Sequence, residues 1–293
     1  KHSCIISVGG GVVNNMCGVL AGMIYRGITL VHFTTTTMGM LDAALDFKQA
    51  INHDRGKNLL GCYYPAQAIV IDPDCCSTLS TRHVRNGIAE ALKHGFTQSS
   101  DMVDMIVDPV FKHGDKKLHD GDYLLAVCQH CIEIKCPTLD NYHCSDFNEM
   151  CPQYGHAIGH AVEHLSWKEG HEPLLHGEAV AIGMCVSAEI ALRRDICDQS
   201  TVDAHYKAMR NVGLPCYVPA TMSITDILHE LTYDKHFVKT PAMGLCSSVG
   251  VMAEASDNVY AHQIEVPEIE KAVDISLKKG ELAAEVAAAV LSF

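Results

Sequence analysis

Three histidines within residues 154–178 are the side chains of this sequence best suited to chemistry. His156 and His160 stand four residues apart, so a helix would carry both imidazoles on the same face. His176 follows after a short loop, in Leu-Leu-His-Gly-Glu-Ala. Imidazole is the commonest metal ligand among side chains, and it also titrates near neutral pH. The cluster predicts a metal site, a proton-transfer site, or both.

Glu90 and Lys93 lie three residues apart in Gly-Ile-Ala-Glu-Ala-Leu-Lys-His and would share one helix face. A solvated surface ion pair is the simpler interpretation of this spacing. The helix is otherwise apolar, however, and a carboxylate facing inward would need a cation or a metal. One carboxylate with two imidazoles is a common catalytic zinc set, which Glu90, His156 and His176 could supply.

Asp42, Lys48, Lys57 and Asn58 are polar residues in a region otherwise made of strands and turns. Lysine and amide side chains of this kind suit a phosphate group and several hydroxyls. A solvated loop would contain the same residue types. Both interpretations stay open on these residues alone.

Cys128 and Cys131 have the spacing of a zinc knuckle. More potential ligands lie downstream, at Cys136, His143, Cys144 and Cys151. No second cysteine pair stands at a matching distance, and the neighbouring apolar residues repeat at helical spacing. We therefore expect these cysteines to be structural thiols, buried or half-buried.

Composition predicts a globular protein without nucleic-acid or membrane partners. The chain has 293 residues, 48% of them apolar, and a formal net charge of −13. Nucleic-acid contacts need clustered lysine and arginine, whereas a small phosphorylated ligand needs only a few local cations. We find no apolar run near the roughly 20 residues of a membrane span and no signal peptide. The 14 scattered cysteines favour reduced thiols and a cytoplasmic location.

Apolar patterning predicts α/β structure first and helices afterwards. Residues 4–8 read as a strand, Gly9-Gly10-Gly11 as a turn and residues 12–25 as a helix, which could cradle a phosphate or simply form a tight turn. Further strands are expected at 28–33 and 69–72, and helices at 82–94, 123–135, 155–165, 178–194 and 281–291. We place the domain boundary near Leu79, giving domains 1–79 and 80–293. Because a strand follows Lys1 almost at once, we expect an earlier stretch to be missing.

The sequence resembles the sugar-phosphate cyclases of the 3-dehydroquinate synthase type, and the matching segments follow one another in the same order along the chain. The matching segments are Gly-Gly-Gly-Val-Val, Tyr-Arg-Gly-Ile, Thr-Thr before Asp42, Asn-His-x-x-Gly-Lys-Asn, Gly-x-Ala-Glu-x-x-Lys, Tyr-Gly-His-x-x-Gly-His-Ala and His-Gly-Glu-Ala-Val. The resemblance implies an α/β dinucleotide-binding domain, truncated at its N-terminus here, followed by a mostly α-helical metal-binding domain. It also implies NAD, a divalent metal (zinc or cobalt) and a homodimer.

The resemblance assigns roles residue by residue. The metal ligands would be Glu90, His156 and His176. Substrate binding and proton transfer would fall to Asp42, Lys48, Asn58, Lys93, Lys135 and His160. Cofactor contacts would come from Gly10, Gly11, Asn15, Thr35, Thr36, Lys57 and Thr78. Arg26 would reach the substrate phosphate of a neighbouring subunit, and Lys235 would also contact substrate.

Two departures bear on the substrate. Dehydroquinate synthases have an arginine for the substrate carboxylate where this chain has Glu149, which would repel an acid. Asn15 and the segment 48–52 instead resemble 2-deoxy-scyllo-inosose synthases, which cyclise glucose 6-phosphate. Those relatives have glutamate where this chain has Gln153, and another acidic residue where it has Ser145. The balance favours a deoxyinosose-type cyclase, with dehydroquinate synthase as the alternative.

The chemistry implied by the resemblance is hydride removal by NAD, phosphate elimination, hydride return and aldol closure to a carbocycle. A metal-dependent polyol dehydrogenase would keep only the hydride step, although the several lysines suit a phosphate better than a neutral polyol. A non-catalytic, truncated relative would keep the fold alone. Phosphate release, and binding of NAD or metal, would separate these alternatives.

Overall fold

The computed structural model of the protein describes residues 3–53, 56–140, 145–168, 170–233 and 240–291. The chain divides into two compact units. One consists of Lys1–Leu92 with Asp104–Tyr142, and the other of Lys93–Val103 with His143–Phe293. The domain boundary expected near Leu79 stays a prediction.

The first unit contains a three-stranded parallel sheet with the strand order β1-β2-β5. The strands are β1 (Cys4–Gly9), β2 (Thr29–Thr34) and β5 (Ala68–Ile71). Leu30, His32 and Thr34 of β2 alternate with less buried residues, as expected for a strand with one face in the core. The parallel pairing confirms the α/β architecture predicted for this part of the chain.

Helix α1 (Gly11–Met23) follows β1 directly, with Gly10 as its N-cap. Parallel strands need a crossover connection, and α1 supplies the one between β1 and β2. Ala21 of α1 packs against Leu30 of β2 in a small apolar cluster. The predicted order of strand, glycine turn and helix is therefore confirmed.

Residues 48–63 form an antiparallel hairpin of β3 (Lys48–His53) and β4 (Gly56–Tyr63). The sequence indicated strands and turns here but did not define the hairpin, because polar residues on β3 obscure the two-residue apolar period. The Asn15 side-chain oxygen accepts a hydrogen bond from the backbone N–H of Ala50 at 2.9 Å. This bond ties the hairpin to α1.

Helices make up most of the remaining chain. They are α2 (Thr37–Leu41), α3 (Thr81–Gln98), α4 (Ser100–His113), α5 (Gly121–Asp140), α6 (Asp146–Met150), α7 (His156–Ser166), α8 (His176–Arg193), α9 (Gln199–Val212), α10 (Ile224–Leu231) and α11 (Val266–Leu291). Two short antiparallel pairs add β6 (Ala242–Met243) with β9 (His262–Gln263), and β7 (Cys246–Ser248) with β8 (Val251–Met252).

Every helix expected from the sequence is present, but five of the helices named above were missed, namely α2, α4, α6, α9 and α10. Pro109 lies inside α4, where it removes a backbone hydrogen bond, and a proline in the pattern argues against a helix. Helix α9 carries many polar residues on its outer face, which hides its buried stripe. No helix among the described residues is long and apolar enough to cross a membrane.

The core of the second unit is built around α7 and α8. Helix α8 is buried throughout residues 177–191, and apart from Glu178 and Glu189 its residues there are apolar or small. Ile158 and Val162 of α7 share one apolar cluster with Ile182 and Val186 of α8. This packing fixes the two helices that carry the three histidines.

Glycines let α7 and α8 approach closely. A Cβ added at Gly183 would lie 2.0 Å from the carbonyl oxygen of Gly155 and 2.8 Å from the amide nitrogen of Gly159. Gly155 also has a φ of +75°, a left-handed conformation that glycine adopts without strain. No larger residue fits at Gly183 unless the helices separate.

We expect Gly183→Ala to lower the free energy of unfolding by about 2 kcal/mol or more, because the methyl group would overpack the α7–α8 contact. This loss exceeds the roughly 1 kcal/mol that alanine gains over glycine in helix propensity. Gly121→Ala is the matched control, since a Cβ there meets only Asp74 Oδ1, at 3.5 Å. Urea unfolding followed by circular dichroism compares the variants, and equal stability for both would contradict the packing argument.

Candidate active site

Three imidazoles meet where α7 and α8 begin. The ring centroids of His156 and His160 are 5.2 Å apart, those of His156 and His176 are 5.2 Å apart, and those of His160 and His176 are 5.7 Å apart. One ligand atom from each of the three lies within 4.8 Å of the others. The shared helix face predicted for His156 and His160 is confirmed. A single small cation could contact any two of these rings, or all three.

Hydrogen bonds fix the proton positions on two of the rings. His176 Nδ1 donates to Oε2 of Glu163 at 2.9 Å, and His156 Nδ1 donates to the carbonyl oxygen of Tyr154 at 3.2 Å. With Nδ1 protonated in each neutral ring, Nε2 keeps its lone pair for a metal or a proton. Glu163 is buried, so its carboxylate acts on His176 with little screening by water.

His205 positions Tyr154, the residue whose carbonyl oxygen accepts the hydrogen bond from His156. His205 Nδ1 donates to the carbonyl oxygen of Thr201 at 2.8 Å. Burial lowers the pKa of His205 to about 4, so its ring is neutral near neutral pH and Nε2 accepts from the Tyr154 hydroxyl, also at 2.8 Å. Phe96 stacks on the His205 ring with centroids 3.8 Å apart. Tyr154 is therefore anchored at its side chain as well as along its backbone.

A second cluster, in the first unit, joins two lysines and two aspartates. Lys135 Nζ donates at 2.8 Å to both the carbonyl oxygen and Oδ1 of Asp42, and it lies 3.2 Å from Oδ2 of Asp46. Lys48 Nζ lies 3.3 Å from the same Asp46 oxygen. The Lys135 side chain is 1% exposed and that of Asp42 is 21% exposed. The structure thus brings together Asp42, Lys48 and Lys135, three residues that the sequence assigned to substrate.

Glu90 and Lys93 are both buried, at 0% and 1% exposure. The alternative of a solvated surface ion pair is therefore wrong, because this face of α3 lies in the interior. Glu90 belongs to the first compact unit and Lys93 to the second. Their burial is what a metal ligand or a proton relay requires, since polar groups are seldom buried without such a role or a partner.

Gly10 and Thr36 make a close contact at the start of α1. A Cβ at Gly10 would lie 2.8 Å from Cγ2 of Thr36, so this approach requires glycine. The Thr35 N–H donates to the carbonyl oxygen of Gly9 at 2.9 Å. Thr36 Oγ1 caps α2 by accepting from the Gly39 N–H at 3.1 Å. The free N–H groups of the first turn of α1 form a ready anion site beside these threonines.

The other residues predicted to contact cofactor lie around this turn or beyond it. Gly11 is the first residue of α1, and Asn15 sits one turn later. Thr78 lies in an exposed turn after β5. Lys57 is on β4, but its side chain is outside the described part of the chain, as is the whole of Lys235. Their roles stay predictions.

Arg26 lies in a strained turn between α1 and β2. Tyr25 and Arg26 have φ values of 50° and 64°, and Gly27 has a φ of 126°. Left-handed backbone costs energy for residues other than glycine, and such strain clusters at functional sites. The Tyr64 hydroxyl holds this turn by donating to the carbonyl oxygen of Ile28 at 2.6 Å. The Arg26 side chain is exposed, as a residue that reaches another molecule must be.

Glu149 and Gln153, predicted to govern substrate choice, and Asn58, predicted to bind substrate, lie at accessible positions. Glu149 is exposed on α6, and Gln153 is half-buried in the turn that leads to Gly155. Asn58 is exposed on β4, with a φ of 56° and its N–H donating to the side chain of Asn52.

The cysteines behave as structural thiols. Cys128 and Cys131 are buried and Cys136 is half-buried on α5. Burial raises the pKa of Cys128 to about 11, which keeps the thiol protonated near neutral pH. The prediction is confirmed for these residues. His143 and Cys144 lie outside the described residues.

Sequence reasoning missed three residues that support the site, namely Glu163, His205 and Asp46. Glu163 stands seven residues after His156 on α7, and this spacing of two helical turns could have identified it. Asp46 precedes Lys48 by two residues, but only the fold brings it to Lys135. His205 carried no sequence signal beyond its residue type.

Comparison with known families agrees with this arrangement. Residues 1–86 match the family model described as 3-dehydroquinate synthase N-terminal, and residues 87–237 match that described as 3-dehydroquinate synthase C-terminal. Together these matches cover most of the chain in unbroken order.

Individual relatives point the same way. The chain is 32% identical to 2-deoxy-scyllo-inosose synthase of Streptoalloteichus tenebrarius over 80% of its length and 59% of that protein. It is 33% identical to 3-dehydroquinate synthase of Desulforamulus reducens over 81% of its length and 65% of that protein. The chain therefore spans about three fifths of the length of these two relatives.

The fold is also that of a solved relative. A crystal structure of 2-deoxy-scyllo-inosose synthase complexed with carbaglucose-6-phosphate, NAD⁺ and Co²⁺ matches with a TM-score of 0.79 and 30% identity. The match covers 94% of this chain and 74% of that one. The predicted dehydroquinate synthase-like fold, an α/β dinucleotide-binding domain followed by a mostly helical domain, is thereby confirmed. This chain belongs to the 3-dehydroquinate synthase family of sugar-phosphate cyclases.

Proposed function

We propose that this protein is an NAD- and metal-dependent sugar-phosphate cyclase, and that it converts glucose 6-phosphate to 2-deoxy-scyllo-inosose. The observation that carries the proposal is the cluster of His156, His160 and His176, in which hydrogen bonds from Nδ1 of two rings place the lone pair of each neutral ring on Nε2. A cation held there would polarise a substrate oxygen in the proposed reaction. The proposed location is cytoplasmic.

The histidine cluster fits a divalent metal. Zn²⁺ and Co²⁺ favour imidazole nitrogen, and a carboxylate on the remote nitrogen of a ligating ring is the usual support. We assign His156 and His176 as ligands, with Glu90 as the third ligand by family resemblance. His160 is then left to face substrate and move protons.

The glycine turn fits a dinucleotide. Gly10 packs so closely on Thr36 that a Cβ would fill the space, and the first turn of α1 offers N–H groups to a phosphate. We propose that Gly10, Gly11, Thr35 and Thr36 contact NAD there. Asn15, Lys57 and Thr78 complete the proposed set.

Bound NAD would exchange a hydride with the sugar, and the metal would polarise the oxygen being oxidised. The chain's own residues would orient the substrate and transfer protons. Lys135 and Asp42 are held at 2.8 Å, so together they can hold a hydroxyl in a fixed orientation. Lys93 and His160 are assigned to proton transfer.

The preference for glucose 6-phosphate rests on the charge of Glu149 and on a resemblance to deoxyinosose synthases. Glu149 on α6 would repel the carboxylate of an acidic substrate. Asn15 and the start of β3 also resemble deoxyinosose synthases, and the solved relative of that name is complexed with carbaglucose-6-phosphate. Dehydroquinate synthase activity is the alternative, since relatives of that name are equally similar.

We propose a homodimer in which Arg26 of each subunit reaches the substrate phosphate bound by the other. The exposed side chain and strained backbone of Arg26 support this role. Lys235, Asn58 and Gln153 are assigned to the same substrate.

We expect Glu163→Gln to weaken Zn²⁺ and Co²⁺ binding by about 10- to 100-fold, because the amide loses the charge that orients and strengthens His176. Competition against a chromophoric chelator measures this affinity without any need for turnover. Glu172→Gln, on the exposed loop before α8, removes the same charge and should bind metal like the unmodified protein. Equal affinities for the two variants would refute the role of Glu163.

Phosphate release tests the proposed activity. With NAD and Co²⁺, the protein should release inorganic phosphate from glucose 6-phosphate with no net accumulation of NADH. A chelator should abolish the reaction, and added Co²⁺ or Zn²⁺ should restore it. Turnover of a seven-carbon ulosonic acid phosphate alone would reject the deoxyinosose assignment in favour of dehydroquinate synthase. Net NADH formation from a neutral polyol, without phosphate release, would indicate a dehydrogenase.

A further inference from the structure

The second unit has an open surface cavity of about 450 Å³. Cavities of this size are typical of sites for small molecules. Six side chains from α9, from the segment after it and from α11 line the cavity, namely Asp203, Tyr206, Lys207, Arg210, Tyr217 and Lys279. The proposed cyclase function uses none of them.

The lining of this cavity is mainly basic. Lys207, Arg210 and Lys279 are cations, and Asp203 is the one anion among the six. Asp203 Oδ1 accepts a hydrogen bond from Gln199 Nε2 at 2.9 Å and forms no ion pair with Lys207. The whole chain has a formal net charge of −13, so the positive excess here is local. An anion would be attracted to the cavity and repelled by most of the remaining surface.

Lys207 and Arg210 have hydrogen-bond donors available to a ligand. Lys207 is exposed, and within the described part of the chain it forms no ion pair or hydrogen bond. Arg210 Nη1 donates to the hydroxyl oxygen of Tyr217 at 3.2 Å, and no carboxylate among the described residues pairs with this guanidinium. Because an ammonium carries three N–H donors and a guanidinium five, most of these donors remain for an anion.

Lys279 is held in the cavity wall by two contacts. Its Nζ forms an ion pair with Oε1 of the buried Glu189 and lies 4.4 Å from the centre of the Tyr206 ring. Tyr206 stacks in turn on Tyr217, with ring centroids 5.4 Å apart. The Lys279 side chain is still 37% exposed. A cation ordered in this way loses little conformational entropy when a ligand binds.

The cavity is separate from the histidine cluster. Lys279 pairs with Glu189, which stands thirteen residues after His176 on α8. At 1.5 Å per residue, this spacing corresponds to about 20 Å along the helix. A ligand in the cavity would therefore leave the proposed metal site open.

We propose that this cavity is a second binding site, which takes a phosphorylated small molecule on Lys207, Arg210 and Lys279. A phosphate ester has nearly two negative charges and three acceptor oxygens on one atom, so one group can face all three cations. Guanidinium also binds phosphate with two parallel hydrogen bonds. A carboxylate brings one charge and two oxygens. A long polyanion such as a nucleic acid would extend over the negative surface around the cavity.

Lysine acetylation in the presence of pyrophosphate tests this site in the full chain. An amine-reactive reagent modifies the lysines, and mass spectrometry gives the rate at each one. At ten times its Kd, pyrophosphate should slow acetylation of Lys207 and Lys279 by about tenfold, by mass action. Lys278 is 70% exposed and pairs with Asp274 instead, so its rate should not change. Pyrophosphate bound at the catalytic site would leave all three rates unaffected.

A substitution of the arginine tests the assignment of donors. Arg210→Gln should raise the Kd of pyrophosphate at Lys207 by about tenfold or more, because charge-assisted hydrogen bonds are lost. Lys112→Gln is the control, since it removes an exposed positive charge from the first unit and should leave this Kd unchanged. If Arg210→Gln does not fold, Lys207→Gln replaces it, with protection read at Lys279.

Four results would overturn the proposal. They are no slowing at Lys207 up to about 1 mM pyrophosphate, equal slowing at Lys278, an unchanged Kd in the folded cavity variant, and equal or better protection by citrate, a tricarboxylate of similar charge. The first three would reject an anion site, and the last would reject a phosphorylated ligand. Phosphate release tests the cyclase activity separately, because no residue of this cavity belongs to the proposed catalytic set.

Discussion

The close approach of α7 and α8 is the constraint on which the site depends. The carbonyl of Gly155 lies so near Gly183 that no side chain fits between the helices. This contact sets how far the first residue of α8, His176, stands from His156 and His160 on α7. Since α8 is buried on all sides, it cannot shift without disturbing the core of its unit. Precise placement of the imidazoles is therefore a consequence of backbone packing rather than of the rings themselves.

Carboxylates with little or partial exposure position the functional groups in both units. Glu163 fixes the tautomer of His176, and Asp46 with Asp42 fixes the ammonium of Lys135. In each case an acidic side chain holds a functional group in one protonation state and one orientation. Groups held in this way need little reorganisation when a ligand arrives, which is how such sites gain both affinity and rate.

The sequence predicted much of this arrangement, and its failures have physical causes. The spacing of His156 and His160 sufficed, because a helix converts four residues into one shared face. Glu90 was open to two interpretations, since an ion pair at helical spacing looks the same whether it faces water or the core. The Asp46–Lys135 contact joins residues far apart in the chain, so no local pattern could reveal it. Helix α4 was missed because its proline normally ends a helix.

The central claim is that His156 and His176 hold a divalent metal while His160 stays available to substrate. Titration of the metal-free protein with Co²⁺, followed by visible absorption, tests it directly, because bound cobalt absorbs according to its ligands. The account predicts that His176→Ala abolishes the cobalt spectrum, whereas His160→Ala retains it with little loss of affinity. A spectrum that survives His176→Ala, or that disappears in His160→Ala, would contradict the account.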